Sequence, residues 1–550
     1  MPSSPSPSPH TSEGATIENL GRNSLLEGDN LETSDTTSPY LQGWRLAVVI
    51  TSLTLGIFLI ALDTTIIGVA IPKITSDFRN LDDIAWFGSA YLLTVTAFQP
   101  SFGTLYKFFN AKYVYLISIL IFEVGSILCA AALNSSMFIL GRAISGLGAA
   151  GLYQGALGIV GYTVVLEKRP LYFGIVVSSF AISGCIGPII GGVLTDHVSW
   201  RWCFWINVPI GAVVLVVVTI FLNLKSSNIE NAALPLKSKM KYVDGAGTLT
   251  FIGAITSLLL ALQWGGQSLP WSSPKIIGLL VAFGGLAFIF AIIQWKRGEC
   301  AIIPLRVVCQ RSVSMVICLL FFVGLTITVL SYYIPIYFQA VRGLSATASG
   351  IRFISMIVPQ TVCLIVVGAF ASIWGYYAPY IIAGTTICTV GCGLLTTIGL
   401  GTTTVQWAAF IAIIGIGFGG ALQLPYTALQ LVLSENDLPT GNAIAVFSSQ
   451  LGGAVGLAIG QVLLLTNLQT NIPRLAPSIS PDAVIQAGAS NLNLLTADPE
   501  VLISIRGAWS SAVHAVFVLA LVASALSVPF SFGIEHLNVH VVAKKRKEAQ

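Results

Sequence analysis

Of the 23 acidic residues in this 550-residue chain, two stand well inside apolar runs: Asp63 in LIALDTTIIG and Glu123 in LIFEVGS. An ionisable group placed where water does not reach must be paired, hydrogen-bonded or neutralised, and such groups mark ion or proton pathways. Arg142, about six residues into another apolar run, supplies a cation for one of them. Asp63 precedes Pro72 by nine residues, so at about 1.5 Å of rise per residue both charges fall in the outer third of a membrane. The chemistry expected of them is reversible protonation. A bridge to Arg142 favours the charged aspartate and desolvation disfavours it, and proton or substrate binding would redistribute the pair. Glu123 is the second candidate carrier, or else a protonated carboxyl that holds its neighbours together.

These residues need helices to position them. The chain is 55% hydrophobic and 9% charged, too little charge to solvate a globule of this size. Apolar runs of about 20 residues, the length that crosses a hydrocarbon core, recur near 46–70, 86–106, 113–133, 137–161, 172–195 and 203–224. Two more follow near 246–264 and 276–295, then six near 313–334, 348–370, 378–399, 406–430, 441–465 and 508–533. The fold class expected is an all-α polytopic membrane protein of about 14 transmembrane helices, arranged as two six-helix bundles plus two inserted linker helices. Residues 1–40 form a disordered tail, 41–224 the first bundle, 225–243 a linker, 244–298 the inserted pair and 299–535 the second bundle. A loop over 466–505 and a basic tail over 536–550 complete the division.

Lys and Arg gather in alternate loops, among them Lys107, Lys112, Lys168, Arg169 and Lys239, and in both tails. With an even number of spans this places both termini in the cytoplasm, and the 466–505 loop outside. The membrane expected is the plasma membrane. The partners are then the lipid bilayer, protons and a small organic substrate.

Glycines fix the packing. In GCIGPIIGG, Gly184, Gly187, Gly191 and Gly192 fall on roughly one face, letting a neighbouring helix approach, while Pro188 removes a donor and bends the rod. The two bundles also look like copies. Gly146, Gly148, Gly151 and Gln154 match Gly415, Gly417, Gly420 and Gln423 at one offset of 269 (146 to 415), and Gly184, Gly187 and Gly191 match Gly453, Gly456 and Gly460 at the same offset. Two such halves relate by an axis along the membrane normal with the pathway between them. Polar groups for a substrate cavity are Gln154, Gln423 and Gln430, with Tyr332 and Tyr333 at the end of the ninth span. Few fixed charges are available, which suits a bulky, weakly polar organic molecule.

Several classes are excluded. GLGAAG and GIGFGG satisfy G-x-G-x-x-G but sit in no βαβ unit, no P-loop sequence exists for ATP, and no basic patch interleaved with aromatics suggests nucleic acid. No metal site, cofactor or catalytic triad is expected, so the chain is not read as an enzyme.

The segment from Gly184 resembles the fifth-span antiporter signature of proton-driven drug exporters of the major facilitator superfamily, and WRWCFWINVPIG at Trp200–Gly211 resembles the family's WRWxFxINxPxG segment. LDTTIIGVAIP at Leu62–Pro72 and LGRAISGLGAAG at Leu140–Gly151 are similar to the first- and fourth-span motifs of its fourteen-span drug/proton antiporters. In those proteins the fourth-span arginine, here Arg142, is implicated in proton transfer. The likeness runs from about residue 41 to 535, taking in LQWGG at Leu262 and YYIPIYFQAVRG at Tyr332, and points to the fungal mycotoxin and multidrug efflux branch. It implies the major facilitator fold and export of a secondary metabolite, toxin or drug in exchange for protons. Import, as by a siderophore carrier, is the alternative. The chain departs from the superfamily at Gly103–Lys112, where GTLYKFFNAK stands against G-x-L-x-D-x-x-G-R-K. Lys107 replaces the acid, which puts the usual gating salt bridge there in doubt.

Overall fold

The computed structural model describes residues 42–78, 84–222, 235, 239, 244–266, 269–489 and 492–548. The tail expected over 1–40 and nearly all of the 225–243 linker lie outside the described residues. The principal helices are α1 (Gly43–Phe78), α2 (Ile84–Phe108), α3 (Ala111–Ala130), α4 (Ser135–Thr163), α5 (Arg169–His197) and α6 (Asn207–Phe221). The inserted pair is α7 (Gly245–Trp264) and α8 (Pro274–Arg297). Then come α9 (Arg311–Ile336), α10 (Ala346–Trp374), α11 (Ala378–Leu395), α12 (Thr404–Ala421), α13 (Leu424–Val432), α14 (Leu438–Leu475), α15 (Pro499–Gly533) and α16 (Val539–Glu548).

Among the described residues 13 helical spans are long and apolar enough to cross a membrane, α12 and α13 counting as one. Helix α2, 25 residues long, is more polar, carrying Thr94, Thr96, Gln99 and Ser101, and completes the bundle. The protein is a multi-pass membrane protein.

The offset of 269 reappears in the helix ends. Helix α4 begins at Ser135 and the α12–α13 span at Thr404; α4 ends at Thr163 and α13 at Val432; α5 starts at Arg169 and α14 at Leu438. Packing follows the same correspondence: α3 and α2 lie against α4 as α11 and α10 lie against α12, and α1 lies against α5 as α9 lies against α14. The halves meet through α5 with α10 and through α2 with α14, two contacts exchanged by the repeat. One asymmetry has a local cause. Where α4 runs unbroken through Ala156, the second half has Pro425, which lacks the N–H for an α-helical bond and splits the span between Ala421 and Leu424.

Helices α7 and α8 pack on each other, with α7 also touching α2 and α14. Their connection is polar: Asp244 caps α7 through the Gly247 N–H at 2.8 Å, accepts from Gln294 at 3.0 Å and pairs with Arg297 at 3.2 Å.

Two expected boundaries change. The loop placed at 466–505 is largely helical, because α14 continues to Leu475 and α15 starts at Pro499, with a short helix at Pro481–Ala487 between them. The tail over 536–550 is not free: α16 docks on the α10–α11 turn, where the Val539 N–H donates to Gly375 O at 2.8 Å and Asn538 Nδ2 to Trp374 O at 3.2 Å. Gly375 permits that turn, with φ of +76°.

Candidate functional site

Asp63 and Arg142 meet inside the first half. Arg142 Nη1 donates to Asp63 Oδ2 at 2.5 Å, and its Nε donates to Phe87 O at 2.9 Å, so α1, α2 and α4 converge on one guanidinium. Asp63 is 0% exposed and Arg142 1%. Tyr91 lies under the guanidinium, 4.5 Å from its ring centroid, and Phe204 flanks it at 5.8 Å. Asp63 Oδ1 has no hydrogen-bond partner among the described residues, and its surroundings are apolar. Those surroundings are formed by Leu62, Ile66, Ile67, Phe87, Phe138, Trp200 and their neighbours.

An aromatic cap covers the pair toward the end of the bundle that carries Trp200. Phe138 packs edge-on against Phe87, Trp200 and Phe204 at 5.1, 5.7 and 5.3 Å, and Phe78 closes on Trp200 at 5.6 Å. The Trp200–Gly211 segment builds this cap residue by residue. Trp200 Nε1 donates to Asp77 Oδ2 at 2.8 Å, fixing the indole to the end of α1. Arg201 donates to Ala130 O and Ala132 O at 3.1 and 2.7 Å, satisfying carbonyls that the end of α3 leaves free. Asn207 donates to Ser126 at 3.2 Å.

Glu123 lies between α3 and α6. Gly211 makes room for it, since any side chain there would collide with its carboxyl. Neither Glu123 oxygen has a hydrogen-bond partner, and among the described residues it enters no ion pair.

The α5 glycines divide between two neighbours. Gly187 faces Thr65 and Gly191 lies where a Cβ would be 2.8 Å from Ile66 Cγ1 and 3.0 Å from Ile66 O, so both press α5 onto the turn of α1 that follows Asp63. Thr65 adds a hydrogen bond to Ser183 O at 3.3 Å. Gly184 instead opens toward Ile357 of α10, 3.3 Å from a Cβ position, so the single face expected from spacing is shared between α1 and the opposite half. The side chain of Pro188 lies outside the described residues, and Gly192 is half-buried on the same helix.

At the opposite end, where Lys107, Lys112 and Arg169 gather, the two halves are tied together. Lys107 Nζ is 3.1 Å from Asp437 Oδ1, and Arg306 Nη2 holds Asp437 Oδ2 at 2.9 Å. Gln154 Nε2 donates to Pro439 O at 2.6 Å, Arg169 Nη1 to Gln430 Oε1 at 2.7 Å, and the Leu171 N–H to Ser372 Oγ at 3.3 Å. Helix α16 adds Lys547 to Glu167 at 3.0 Å. Close backbones make these ties possible: a Cβ on Gly103 of α2 would sit 2.6 Å from Ala443 Cβ and 3.1 Å from Pro439 O.

The sequence pattern of the Major Facilitator Superfamily matches residues 53–457. The chain belongs to this superfamily. It is 42% identical over 503 residues to the MFS-type efflux pump MFS1 of Arthroderma benhamiae, covering 92% of this chain and 94% of that one. It is 40% identical to Efflux pump aflT of Aspergillus parasiticus, with 91% and 98% covered, and 41% identical to Efflux pump hmp6 of Hypomyces subiculosus, with 90% and 88% covered. Among solved structures, the human organic anion transporter MFSD10 (TETRAN) superposes with a TM-score of 0.54 at 14% identity, covering 88% of this chain and all of that one, which is a likeness of fold. The protein is a membrane transporter and not an enzyme.

Within the superfamily pattern, the Gly103–Lys112 loop inverts a charge rather than losing a contact. Lys107 stands where the pattern has an acid, and the acid that meets it, Asp437, stands at the start of α14. Lys107 thus forms a salt bridge of its own, to Asp437. Of the groups considered for the cavity, Gln154 and Gln430 join the halves as above. Gln423 donates to Leu364 O at 2.9 Å and lies against Gly174 and Gly368, where α5 meets α10. Tyr333 is buried on Gly460, its hydroxyl 3.4 Å from Gln461, and points away from the neighbouring Tyr332, which is exposed. Sequence reasoning passed over Asp437, Asp77 and the Gln99–Asn442 amides. Asp437 carried a signal, an acid immediately before the Leu-Pro that opens an apolar run, opposite in sign to Lys107.

Proposed function

We propose that this transporter exports a bulky, weakly polar organic compound, a secondary metabolite, toxin or drug, in exchange for protons. The basic end faces the cytoplasm and the Trp200 end faces outward, in the plasma membrane. The observation that carries this reading is the buried Asp63–Arg142 pair beneath the aromatic cap. An ionised Asp63 holds Arg142 and, through the Arg142–Phe87 bond, draws α1, α2 and α4 together. A proton taken from outside neutralises Asp63 and frees Arg142, which changes how those helices pack. One proton moving down about 100 mV supplies about 2.3 kcal/mol, enough to bias two conformations that differ by a comparable amount. Glu123, which among the described residues pairs with no cation and lies against Gly211 of α6, is the second candidate for the exchanged proton.

The names of the relatives support efflux over uptake, since three of them are called efflux pumps. Gln154, Gln423 and Gln430, the uncharged polar groups where the halves meet, support a neutral or weakly polar cargo. Deleting the gene in its native host tests the direction. Export predicts that one or more organic compounds rise inside the cells and fall in the medium; an importer, such as a siderophore carrier, gives the reverse and would refute the proposal.

A further inference from the structure

Gln99, Gln154 and Asn442 gather where α2 and α4 abut the first turns of α14. Gln99 is one turn before Gly103, which packs on Pro439, Thr440 and Ala443, while Gln154 bonds Pro439 O and Asn442 follows three residues later. All three side chains are 0% exposed. Both amide atoms of Gln99, both of Asn442 and Oε1 of Gln154 have no hydrogen-bond partner. Buried amides left unpaired lower stability, so packing alone does not account for them.

The second half shows that packing does not require them. At the corner related by the repeat, where α10 and α13 abut α5, Gly368 stands in place of Gln99 and Phe173 in place of Asn442. Gly368 packs on Pro170 O, 2.8 Å from a Cβ position, and Phe173 joins the apolar core. The same helix junction forms there without the two amides. The nearby charges are engaged already, Lys107 by Asp437 and Arg169 by Gln430.

We propose that the Gln99–Gln154–Asn442 corner is the loading site for cargo on the basic end, and that it selects neutral, oxygen-bearing organic molecules. This rests on the export reading above. When α2 and α4 part from α14, the amides become available and pair with carbonyl, ether and hydroxyl oxygens of the cargo. Gln154 is the exchanging group: its Nε2 serves cargo while the end is open and returns to Pro439 O as the end closes. Cargo bound here therefore favours the open form, since a ligand shifts an equilibrium only by its differential affinity. Closure goes with release of the proton to the cytoplasm, which restores the ionised Asp63 and its pair with Arg142.

The test is binding of a matched probe pair to the purified full chain in lipid nanodiscs, read by tryptophan quenching with empty discs subtracted. The probes are 1,8-dimethoxyanthraquinone and anthracene, which share a ring frame and differ in oxygens. A site built to hydrogen-bond its ligand prefers the oxygenated member by about tenfold or more, and the Gln99→Leu/Asn442→Leu variant should bring the two dissociation constants to within about threefold. Its melting temperature should equal or exceed that of the unaltered protein, because unpaired amides are replaced by apolar groups. Retained preference in the variant, no preference in the unaltered protein, or a melting temperature lowered by several degrees would each overturn the proposal. Probe binding needs neither a gradient nor export, so its failure is distinct from failure of proton-driven export.

Discussion

Lys107 Nζ lies 3.1 Å from Asp437 Oδ1, joining the end of α2 to the start of α14 across the boundary between the halves. Arg306 occupies the other oxygen of Asp437, so the carboxylate is a shared anchor. Partly exposed ion pairs contribute about 0.5–1 kcal/mol, and the tie is one of several at this end. Lys107→Ala should raise hydrogen exchange of the first turns of α14 by about two- to fivefold, and Asp437→Asn, which releases Arg306 as well, should raise it more. Unchanged exchange in both variants would remove Asp437 from the closure.

The pH response of this anchor has a definite sign. Burial works against the charged form of Asp437, but hydrogen bonds from Arg306, Ser434 and Lys107 outweigh it and hold the carboxyl below its ordinary value of 3.8. A depressed folded-state value contributes stability that is fully present above the ordinary value and is lost only as pH falls through the lower one. Exchange in the same turns should therefore be flat, after correction for intrinsic rates, from about pH 8 to pH 5. An opening centred near pH 6 would contradict this assignment.

Removing Arg142 should cost far more than removing the pair. Arg142→Leu leaves Asp63 buried without its cation, a loss of about 3–5 kcal/mol, whereas Asp63→Asn/Arg142→Leu leaves no lone charge and should recover much of it. Thermal unfolding in detergent, followed by light scattering and tryptophan emission, checks the order of the variants. Equal destabilisation by the single and double changes would show that the ion pair does not act as a unit.

Glycine substitutions should separate by what the new methyl meets. A Cβ at Gly148 would strike the backbone of Phe122 on α3, and at Gly417 the backbone of Cys388 on α11, while at Gly158 nothing lies within 4 Å. Gly148→Ala and Gly417→Ala should lower the melting temperature, each forcing two helices apart, with a cost of about 1–3 kcal/mol. Gly158→Ala should be neutral or slightly stabilising, since alanine is the better helix former. Comparable losses at all three positions would mean that helix spacing is not what these glycines set.

How much of this was legible in the residues follows from the physics that placed them. Apolar length marks spans because lipid admits only self-satisfied backbones, so the helices came close to their expected ranges. The repeat was readable because glycine spacing and helix ends are set by the same packing. Asp63, Arg142 and Glu123 stood out because a charge inside an apolar run is rare. Contacts distant in sequence were not readable: nothing local to Lys107 indicates Asp437, 330 residues on. The basic composition over 536–550 does not indicate that α16 docks, because its partners, the Gly375 turn, Glu167 and the Leu431 and Leu433 carbonyls, are distant in sequence. The separate facings of Tyr332 and Tyr333, and of Gly184 and Gly187, depend on which neighbour each helix has, and one chain's periodicity does not specify that.

The central claim is that Asp63 takes up and releases the proton that powers transport. The direct measurement uses proteoliposomes loaded with the compound that accumulates in the deletion strain, with its counterflow followed under an imposed pH gradient and again after a protonophore. The unaltered protein should move cargo against its concentration gradient only while the pH gradient stands, and Asp63→Asn should lose this concentrative transport while still exchanging cargo for cargo at equilibrium. Full gradient-driven transport by Asp63→Asn, or transport by the unaltered protein that is indifferent to the protonophore, would contradict the account.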